Sequence, residues 1–403
     1  MVIFTMFARK YTKIESFLSK DYSILVLGPR GTGKTYFLTR LLKEQANHML
    51  IDLLDKSVFP RYLKDPSLFY KEIKSRLTNT DELLWVMIDE VQLVPSLLDE
   101  VHRLIEAYKK QVVFILTGSS ARKLRREEAN LLAGRALRID FFPLGMDELD
   151  YDLEVFLQWG TLPSVLNESD PVLREAYLKT YVGTYLDEEL RKEANIRNLS
   201  GFARFLELAA AENGQLVNYS KLAKSAGVAD VTVKEYFQIL NDTLLAYHIP
   251  AWSYSKREQL QIAPKNYIFD NGVVNALLGE LRSTPNRSTY RFGRLFENFV
   301  LGQIVQYKSK QDCNAKIYHY RQKKGKEIDF ILQKNPHSAP VAVEIKSTSS
   351  PSVKDVNQLL DFGSTYPKSK LICICNTPED YIDSEIEFLG VNSGIARIFD
   401  LTE

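Results

Sequence analysis

Two sets of residues in this sequence have the types and spacing that chemistry requires, and the first is a glycine-rich stretch at residues 28–35. It fits the pattern G-x-x-x-x-G-K-[ST], in which backbone N–H groups at the start of a helix surround phosphate. Lys34 would reach the β- and γ-phosphates, and the Thr35 hydroxyl would hold Mg²⁺. The stretch is predicted to bind ATP through all its residues: Gly28, Pro29, Arg30, Gly31, Thr32, Gly33, Lys34 and Thr35.

Two carboxylates at the end of an apolar run would complete this site. The run Leu83–Ile88 reads as a buried strand and is followed directly by Asp89 and Glu90. We expect Asp89 to hold Mg²⁺ through water and Glu90 to polarise the water that attacks the γ-phosphate. The sequence therefore predicts nucleotide hydrolysis as well as nucleotide binding.

Two polar residues further along are candidates for the same reaction. Ser119 follows the apolar run Val112–Leu116 and is expected to contact the γ-phosphate or position water, although its hydroxyl suits a helix cap equally well. Arg135 precedes a strand-like run and could stabilise transition-state charge in a neighbouring subunit. A solvated surface arginine is the alternative, and the pattern does not decide between the two.

The second chemical set lies towards the end of the chain and combines three carboxylates with a lysine. Glu297 falls in a segment of helical periodicity, and Asp329 falls in an alternating apolar run. Glu344 and Lys346 share a further alternating run, so they are expected to project together from the face opposite its buried valines.

This second set has the composition of a metal-dependent nuclease site. The carboxylates of Glu297, Asp329 and Glu344 would hold one or two Mg²⁺ or Mn²⁺ ions, and Lys346 would orient or deprotonate the water that attacks a phosphodiester. One alternative is a solvent-facing strand with a single Glu–Lys ion pair. Another is a nuclease-like fold that does not cleave.

The predicted elements around these residues define an α/β, multidomain chain. Strands alternate with helices over residues 1–150, which predicts a parallel sheet with right-handed crossovers, and Val91–Tyr108 reads as one amphipathic helix. Residues 151–200 read as a helical connector with a long helix at Glu175–Ala194. Residues 201–285 contain two short helices, the first capped by Ser220 and ended by Gly227, and two strand-like runs, which together predict a winged helix. Residues 286–403 are predicted to form the nuclease-like α/β domain.

Composition limits the class of protein. The chain has 403 residues, 45% of them hydrophobic, and a formal net charge of +1. This balance is typical of a folded multidomain protein and argues against coating nucleic acid or membranes through bulk charge. We find no signal-peptide pattern and no run of transmembrane length, and two of the three cysteines read as buried strand thiols. A cytoplasmic prokaryotic enzyme without a membrane partner is expected.

Taken together, the motifs resemble those of the prokaryotic AAA-like (archaeal-type) P-loop ATPases that carry a C-terminal domain of unknown function. The matching stretches are Gly28–Thr35, Ile88–Glu90, Leu116–Ser120, Gly134–Arg135, Gly160–Pro163, Phe269–Val273, Gly293–Glu297, Glu327–Phe330 and Glu344–Lys346. The resemblance implies a P-loop AAA-like ATPase domain, a winged-helix domain and a C-terminal PD-(D/E)xK nuclease-like domain. The chain departs from the family at Trp159, where a second glycine is frequent, and it has no proline–aspartate pair before the catalytic lysine region.

Three functions from different classes remain open at this point. The leading hypothesis is an ATP- and Mg²⁺-dependent ATPase that acts on nucleic acid, DNA in the first place, and forms a homo-oligomer if Arg135 acts in trans. The second is an ATP-switched assembly protein whose nuclease-like domain is silent. The third is a DNA-binding regulator that contacts the groove through Thr232, Lys234 and Glu235 of the winged helix.

Overall fold

The chain folds into two units, each built around one larger β-sheet. The computed structural model describes residues 7–78, 82–119, 134–150, 152–186, 198–253, 255–311, 313–321 and 325–402. The N-terminal unit comprises Ala8–Pro143 with Asp242–Leu244, and the C-terminal unit comprises Leu144–Asn241 and Leu245–Glu403. Ser120 and residues 187–194 of the predicted connector helix lie outside the described residues.

A five-stranded parallel sheet forms the N-terminal unit. Its strands are β1 (Ser23–Leu27), β2 (His48–Asp52), β3 (Leu84–Asp89), β4 (Val112–Gly118) and β5 (Ala136–Asp140), in the spatial order β2-β3-β4-β1-β5. Its helices are α1 (Thr12–Leu18), α2 (Lys34–Lys43), α3 (Phe59–Lys64), α4 (Ser67–Leu77) and α5 (Leu97–Ala107). All strand pairs are parallel, as the alternation of strands and helices predicted.

Apolar side chains on both faces of this sheet explain its continuous apolar runs. Every residue of β3 and β4 is buried, and the two faces pack into two separate apolar clusters. Leu97 and Val101 of α5 belong to one cluster, and Phe37 and Leu38 of α2 belong to the other. Parallel strands need cover on both faces, and the cover here leaves only the strand ends available for chemistry.

One predicted helix of this unit is wrong in its length. The sequence predicts a helix over Val91–Tyr108, whereas the structure has a 3₁₀ turn at Val91–Leu93 and α5 begins only at Leu97. Pro95 separates the two, because proline lacks the N–H of a continuous helix and restricts the residue before it. The break keeps Gln92 beside the end of β3.

Helices and a two-stranded sheet make up the first part of the C-terminal unit. The helices are α6 (Leu153–Trp159), α7 (Pro163–Leu166), α8 (Pro171–Thr180), α9 (Leu199–Ala211), α10 (Tyr219–Ala226), α11 (Asp230–Asp242), α12 (Lys256–Gln261) and α13 (Asn271–Leu277). Two strands, β6 (Ala246–Ile249) and β7 (Lys265–Ile268), pair antiparallel. The order of α9, α10, α11, β6 and β7 suits the predicted winged helix, and that assignment stays a prediction.

Two expectations about these helices need correction. The connector helix predicted to begin at Glu175 begins at Pro171 and changes at Tyr181 into a π-helical turn. α10 is capped by Asn218, whose side chain accepts a hydrogen bond from a backbone N–H of the first turn, while Ser220 lies inside the helix. An amide oxygen caps as well as a hydroxyl does, so the helix starts where expected with a different capping group.

A buried carboxylate ties α6 to α13 within this unit. Asp270, the N-cap of α13, accepts hydrogen bonds from the N–H groups of Val273 at 3.1 Å and Thr161 at 2.7 Å. Gly160 makes room for it, because a Cβ at that position would lie 2.0 Å from Asp270 Oδ1. The Gly160–Pro163 turn and the start of α13 are therefore one interlocked joint.

A six-stranded mixed sheet forms the last part of the C-terminal unit. Its strands are β8 (Lys316–Arg321), β9 (Glu327–Gln333), β10 (Val341–Lys346), β11 (Lys370–Cys375), β12 (Tyr381–Asp383) and β13 (Ile386–Leu389), in the order β12-β13-β11-β10-β9-β8. Three further helices are α14 (Tyr290–Lys310), α15 (Asn357–Thr365) and α16 (Val391–Thr402). Cys373 and Cys375 are free, buried thiols of β11, as predicted. Among the described residues no helix has the length and apolar character needed to cross a bilayer.

Burial of β10 contradicts the alternative of a solvent-facing strand with a single Glu–Lys ion pair. Ala342, on the same face as Glu344, belongs to an apolar cluster with Leu359 and Phe362 of α15. Glu344 is only 5% exposed, and Lys346 at the strand end is partly exposed. The carboxylate of Glu344 is therefore desolvated, which is costly unless it is paired with a cation or protonated.

Candidate functional site

The glycine-rich loop connects β1 to α2 at the edge of the sheet where β3 and β4 also end. Arg30 and Gly31 form its turn, and φ is 73° at Gly31 and 86° at Gly33, in the region that favours glycine. Gly28 is needed for another reason, because a Cβ there would lie 2.0 Å from the carbonyl oxygen of Phe141. The fold therefore requires glycine at these three motif positions.

Lys34 and Thr35, the first residues of α2, make the contacts that characterise the loop. The Lys34 Nζ is buried and donates to the carbonyl oxygens of Gly28 and Pro29 at 2.6 and 2.9 Å. Thr35 Oγ1 donates to Asp89 Oδ2 at 3.0 Å, which joins the loop to the end of β3. An ammonium, a hydroxyl, a carboxylate and the N–H groups at the start of a ten-residue helix are the groups that bind ATP with Mg²⁺.

Arg9 supports the loop, a role that no motif revealed. Its buried guanidinium donates to the carbonyl oxygens of Thr32 at 2.5 Å and Phe142 at 2.8 Å. It also lies 4.4 Å from the centroid of the Phe141 ring, within range of a cation–π contact. The Thr32 hydroxyl donates in turn to the carbonyl oxygen of Pro29 at 2.8 Å. Arg9 therefore stabilises the loop although it lies outside the G-x-x-x-x-G-K-[ST] motif.

Asp89 is held between two hydroxyl groups. Thr35 donates to one of its oxygens, and Thr117, in β4, donates to the other. Burial raises the pKa of Asp89 above its ordinary value, against the opposing effect of the Thr117 and Thr35 hydrogen bonds. A Mg²⁺ ion would favour the ionised form. Thr117, and not Ser119, is the residue of the β4 end that touches the predicted metal ligand.

Glu90 is held by a glutamine that sequence reasoning missed. Gln92 Nε2 donates to Glu90 Oε2 and also to Ser119 Oγ, the latter at 2.9 Å. Glu90 has a left-handed backbone, with φ at 57°, and its N–H donates to Thr117 Oγ1 at 3.2 Å. All four side chains are buried. Ser119 is thus linked to Glu90 through Gln92. In the sequence, the only indication of this contact is a polar residue two positions after Glu90.

Arg135 forms an ion pair within the N-terminal unit. Its Nε donates to Glu106 Oε1 of α5 at 2.8 Å, and this hydrogen bond lowers the pKa of Glu106. Both side chains are partly exposed, so water screens the attraction and the pair contributes little to stability. An action of Arg135 on a neighbouring subunit would therefore require breaking only a weak contact.

The second predicted site gathers where β9, β10 and α14 come together. Asp329 of β9 accepts the Ile345 N–H at 2.8 Å through Oδ2, across the antiparallel pair of strands. Lys346 Nζ donates to Glu344 Oε1 at 2.9 Å. Glu297 of α14 lies close enough to Asp329 that the negative charge of Asp329 adds to the effect of burial and raises the pKa of Glu297. The four residues predicted from the sequence thus occupy one region.

Strand β7 adds two residues that sequence reasoning missed. Lys265 is 5% exposed, and its Nζ lies 3.9 Å from Glu297 Oε1 and 3.8 Å from Glu327 Oε2. The Tyr267 hydroxyl donates to Glu297 Oε1 at 2.5 Å. Lys265 and Tyr267 are two positions apart in the sequence, and this spacing places both side chains on one face of a short strand. The acidic cluster, as we call it, consists of Lys265, Tyr267, Glu297, Glu327, Asp329, Glu344 and Lys346.

Burial and the proximity of several carboxylates raise the pKa values of Glu297 and Glu344 in this cluster. Burial, followed by the negative charge of Asp329, raises the pKa of Glu297 to about 7 and that of Glu344 to about 8. Burial alone would lower the pKa of Lys346, but Glu344 and Asp329 outweigh it and the pKa is raised. A cation bound nearby would stabilise the ionised form of these carboxylates and lower their pKa values.

One carboxylate oxygen at one end of the acidic cluster has no hydrogen-bond partner among the described residues. Glu344 Oε2 is buried and has no hydrogen-bond partner in the described structure, which leaves a carboxylate oxygen open to an ion. Within the described residues no three acidic, histidine or cysteine side chains are gathered closely enough to hold a metal ion by themselves. Mg²⁺ commonly takes one or two carboxylates and completes its shell with water. Asp329 and Glu344 would hold the ion, while Glu297 is engaged by Tyr267 and Lys265.

Matches to family models agree with the class of domain that the loop and parallel sheet define. Residues 20–150 match the model described as AAA domain. The N-terminal unit is a AAA-like P-loop ATPase domain. Residues 150–284 match a domain of unknown function (DUF8612), and residues 292–392 match another (DUF4143). The nuclease-like assignment therefore stays a prediction.

Similar proteins extend over most of the chain. An uncharacterized protein of Mycobacterium tuberculosis is 26% identical over 335 residues, which are 82% of this chain and 71% of that protein. One of Haemophilus influenzae is 23% identical over 398 residues, 93% of this chain and 94% of that protein. Its similarity therefore runs through all three matched regions.

Among solved structures, likeness is low. A variant of RuvB of Thermotoga maritima has 16% identity and a TM-score of 0.33, over 60% of this chain and 90% of its own. The replication initiator DnaA bound to AMPPCP and single-stranded DNA has 11% identity and a TM-score of 0.28, over 59% and 90%. Similarity at this level says nothing about function.

Proposed function

We propose that this chain is a Mg²⁺-dependent ATPase that acts on nucleic acid, DNA in the first place, through a C-terminal domain that cleaves phosphodiesters. One observation supports the ATPase part most directly. Thr35 and Asp89, the two predicted Mg²⁺ contacts, are joined by a hydrogen bond of 3.0 Å beside the phosphate-binding loop. The loop and the strand end thus bring to one point the groups that nucleotide hydrolysis requires.

Each residue of the ATPase site has a task in this proposal. Lys34 and the loop N–H groups bind the β- and γ-phosphates, and Thr35 and Asp89 hold Mg²⁺. Bound Mg²⁺ would neutralise the charge that develops on the phosphate oxygens. Glu90 orients the attacking water and accepts its proton, and Gln92 keeps the Glu90 carboxylate in place.

The cleavage part of the proposal is supported by the open oxygen of Glu344. Asp329 and Glu344 would hold a divalent ion, which supplies charge stabilisation at the phosphodiester when bound. The raised pKa keeps Lys346 protonated. We therefore assign Lys346 to orienting the water and stabilising negative charge, in preference to deprotonating the water.

Arg135 and helix α11 are the two features proposed to contact binding partners. Arg135 of one subunit would act on the nucleotide of the next, which requires a homo-oligomer and release of the ion pair with Glu106. α11 would present Thr232 and Lys234 to a DNA groove. Lys234 is exposed and lies 5.3 Å above the Tyr219 ring.

A paired assay tests both activities on the full chain. ATP hydrolysis and plasmid nicking are measured in one reaction with Mg²⁺ or Mn²⁺. Glu90→Gln is expected to lower ATP turnover by about 100-fold, and Lys346→Ala to lower nicking by a similar factor. Lys370→Ala is the matched control, because this lysine is exposed at the other end of the neighbouring strand β11. Equal inertness of the wild type and Lys346→Ala on plasmid, branched DNA and RNA would refute cleavage.

An ATP-switched interaction protein is the second candidate. It is favoured by the finding that, in the part of the chain the structure describes, no three metal-binding side chains are gathered together. In this case Lys34→Ala abolishes ATP-dependent association in size-exclusion chromatography. Lys346→Ala then behaves like the wild type in every nucleic-acid assay.

A further inference from the structure

A pocket lies beside β8, the outer strand of the six-stranded sheet, and shares no residue with the acidic cluster. Its volume of about 620 Å³ falls in the range of about 300–1,000 Å³ that is usual for small-molecule sites. The β8 pocket, as we call it, lies within the C-terminal unit. It is lined by Tyr219 of α10, His248 of β6, Pro250, the segment Gln259–Pro264, and Lys316 and Tyr318 of β8.

Hydrogen bonds fix the walls of the β8 pocket. His319 is buried in β8, and its backbone N–H donates to the carbonyl oxygen of Pro250 at 3.0 Å. The Nε2 of the same residue donates to the carbonyl oxygen of Ala263 at 3.0 Å. The Gln259 side chain donates to the carbonyl oxygen of Ala251 at 2.8 Å. Two wall segments are thus held to each other and to the sheet, so the pocket is formed without a ligand.

Strand β8 is irregular where it borders the pocket. Its register against β9 shifts between Tyr318 and Tyr320, as in a β-bulge. Lys316 and Tyr318 precede the shift and are two positions apart, so both side chains share the face that lines the pocket. Bulges redirect side chains and are frequent beside functional sites. A ring and an ammonium group therefore come together at the edge of the sheet.

The lining of the β8 pocket combines rings with positive charge. Tyr219, His248 and Tyr318 supply three rings, and Lys316 is exposed. None of the described residues that line the pocket is an aspartate or a glutamate. Desolvation lowers the pKa of His248 below its ordinary value of 6.5, so this ring is neutral near pH 7. Lys234 adds a second ammonium group, 5.3 Å from the centroid of the Tyr219 ring. Planar rings with cations suit a nucleotide, whose base stacks and whose phosphate is an anion.

We infer that the β8 pocket holds an unpaired nucleotide of a single strand, with the base against the rings of His248 and Tyr318 and the phosphate at Lys316. The inference rests on the proposed action on nucleic acid, and it specifies which form of nucleic acid the C-terminal unit recognises. A base inside a duplex is covered by its stacked neighbours, so only an unpaired base can enter a pocket. The site differs from the groove contact proposed for α11, which needs a duplex. DNA and RNA strands share the chemistry of base and phosphate.

Fluorescence anisotropy of short labelled strands tests the β8 pocket on the full chain. Single-stranded DNA, RNA of the same sequence and the DNA duplex are compared in EDTA without ATP, so that neither proposed reaction takes part. The wild type is expected to bind a single strand more tightly than the duplex. Tyr318→Ala should weaken single-strand binding by about tenfold, because a stacked base loses its ring. Tyr318→Phe keeps the ring and should bind like the wild type. The matched control is Tyr290→Ala, which changes an exposed tyrosine of the same unit outside the pocket.

Salt dependence distinguishes the two kinds of contact. Lys316→Ala should weaken single-strand binding a few-fold and make the slope of log Kd against log salt concentration less steep by about 0.7, because one phosphate contact is lost. Tyr318→Ala should leave that slope unchanged, since a stacked base releases no counterion. If Tyr318→Ala fails to fold, Lys316→Ala at its exposed position and Tyr318→Phe still decide. Loss of both DNA and RNA binding in the pocket variants supports the inference, and the strand that the wild type prefers identifies the natural ligand.

Equal binding of duplex and single strand by the wild type would overturn the inference, as would the absence of single-strand binding. Unchanged binding by folded Tyr318→Ala and Lys316→Ala would also overturn it and would favour an apolar peptide at the rim, where Leu260 is 77% exposed. Single-strand binding that depends on the pocket, in a protein without ATP turnover or nicking, refutes only the proposed function. Turnover and nicking that are indifferent to the pocket variants, with unchanged strand binding, refute only the pocket.

Discussion

The side-chain amide of Gln92 donates a hydrogen bond to the carboxylate of Glu90 and a second one, of 2.9 Å, to Ser119. These contacts connect the ends of two neighbouring parallel strands at the point where the water that attacks a γ-phosphate would have to be oriented. The other amide atom, Gln92 Oε1, is buried without a hydrogen-bond partner in the described structure. Gln92 therefore has the position of a residue that sets the direction of Glu90.

Replacing Gln92 by leucine is expected to lower ATP turnover while leaving nucleotide affinity nearly unchanged. Leucine fills similar space but cannot donate to Glu90, so the carboxylate loses its orientation, with a loss of about 10–100-fold in kcat. Steady-state hydrolysis and binding of a fluorescent ATP analogue measure the two quantities separately. A parallel loss of affinity would contradict the assignment.

Gly118→Ala should reproduce this phenotype by a different route. A Cβ at Gly118 would lie 2.6 Å from Gln92 Oε1, closer than atoms pack, so the amide must move. We expect reduced kcat with retained nucleotide affinity, measured in the same two assays. Turnover equal to the wild type in a folded Gly118→Ala protein would show that Gln92 needs no fixed position.

Lys34→Ala is expected to weaken ATP binding by about 100-fold, because it removes the ammonium group that neutralises phosphate charge at the loop. Lys43→Ala is the matched control: the residue lies in the last turn of the same helix and is exposed. Titration with a fluorescent ATP analogue compares both. Equal affinities for the two variants would exclude the loop as the nucleotide site.

Arg9→Ala is expected to destabilise the N-terminal unit by about 2–4 kcal/mol, because the buried carbonyl groups of Thr32 and Phe142 lose their donor. The loop that contains Thr32 should also bind nucleotide more weakly. Urea unfolding with and without an ATP analogue measures both effects. Lys10→Ala, at the exposed neighbouring position, serves as control, and equal stability of the two variants would contradict a supporting role for Arg9.

The N-terminal unit could be predicted from sequence in most of its elements, for a physical reason. Its parallel strands are covered on both faces, so they read as unbroken apolar runs, and Asp89 stands at the end of one of them. The glycine-rich stretch is equally local, since its shape depends on Gly31, Gly33 and the helix that follows. The position of Gln92 could not be predicted, because the apolar periodicity after Glu90 indicates a continuous helix, whereas the chain forms a 3₁₀ turn before Pro95.

The acidic cluster could be predicted only in part, because tertiary contacts complete it. Alternation in β10 correctly put Glu344 and Lys346 on one face, but the burial of that face by α15 depends on a helix that comes later in the chain. Lys265 and Tyr267 reach Glu297 from a separate two-stranded sheet about thirty residues earlier. No local pattern reports a contact across that distance, and a lysine in a short strand reads as solvated.

Asp270 should make the stability of the C-terminal unit depend on pH. Burial raises its pKa to about 6, although the N–H groups of Thr161 and Val273 lower it. The folded chain thus binds this proton more tightly than the unfolded chain, whose pKa is near the ordinary 3.8. The free energy of unfolding is expected to fall as pH rises from about 4 to about 6, by up to about 3 kcal/mol, and to level off above. Asp270→Asn should remove that slope in urea unfolding followed by tryptophan fluorescence. Asp152→Asn, at the exposed N-cap of α6, should keep it, and a slope unchanged in Asp270→Asn would assign the pH dependence to other groups.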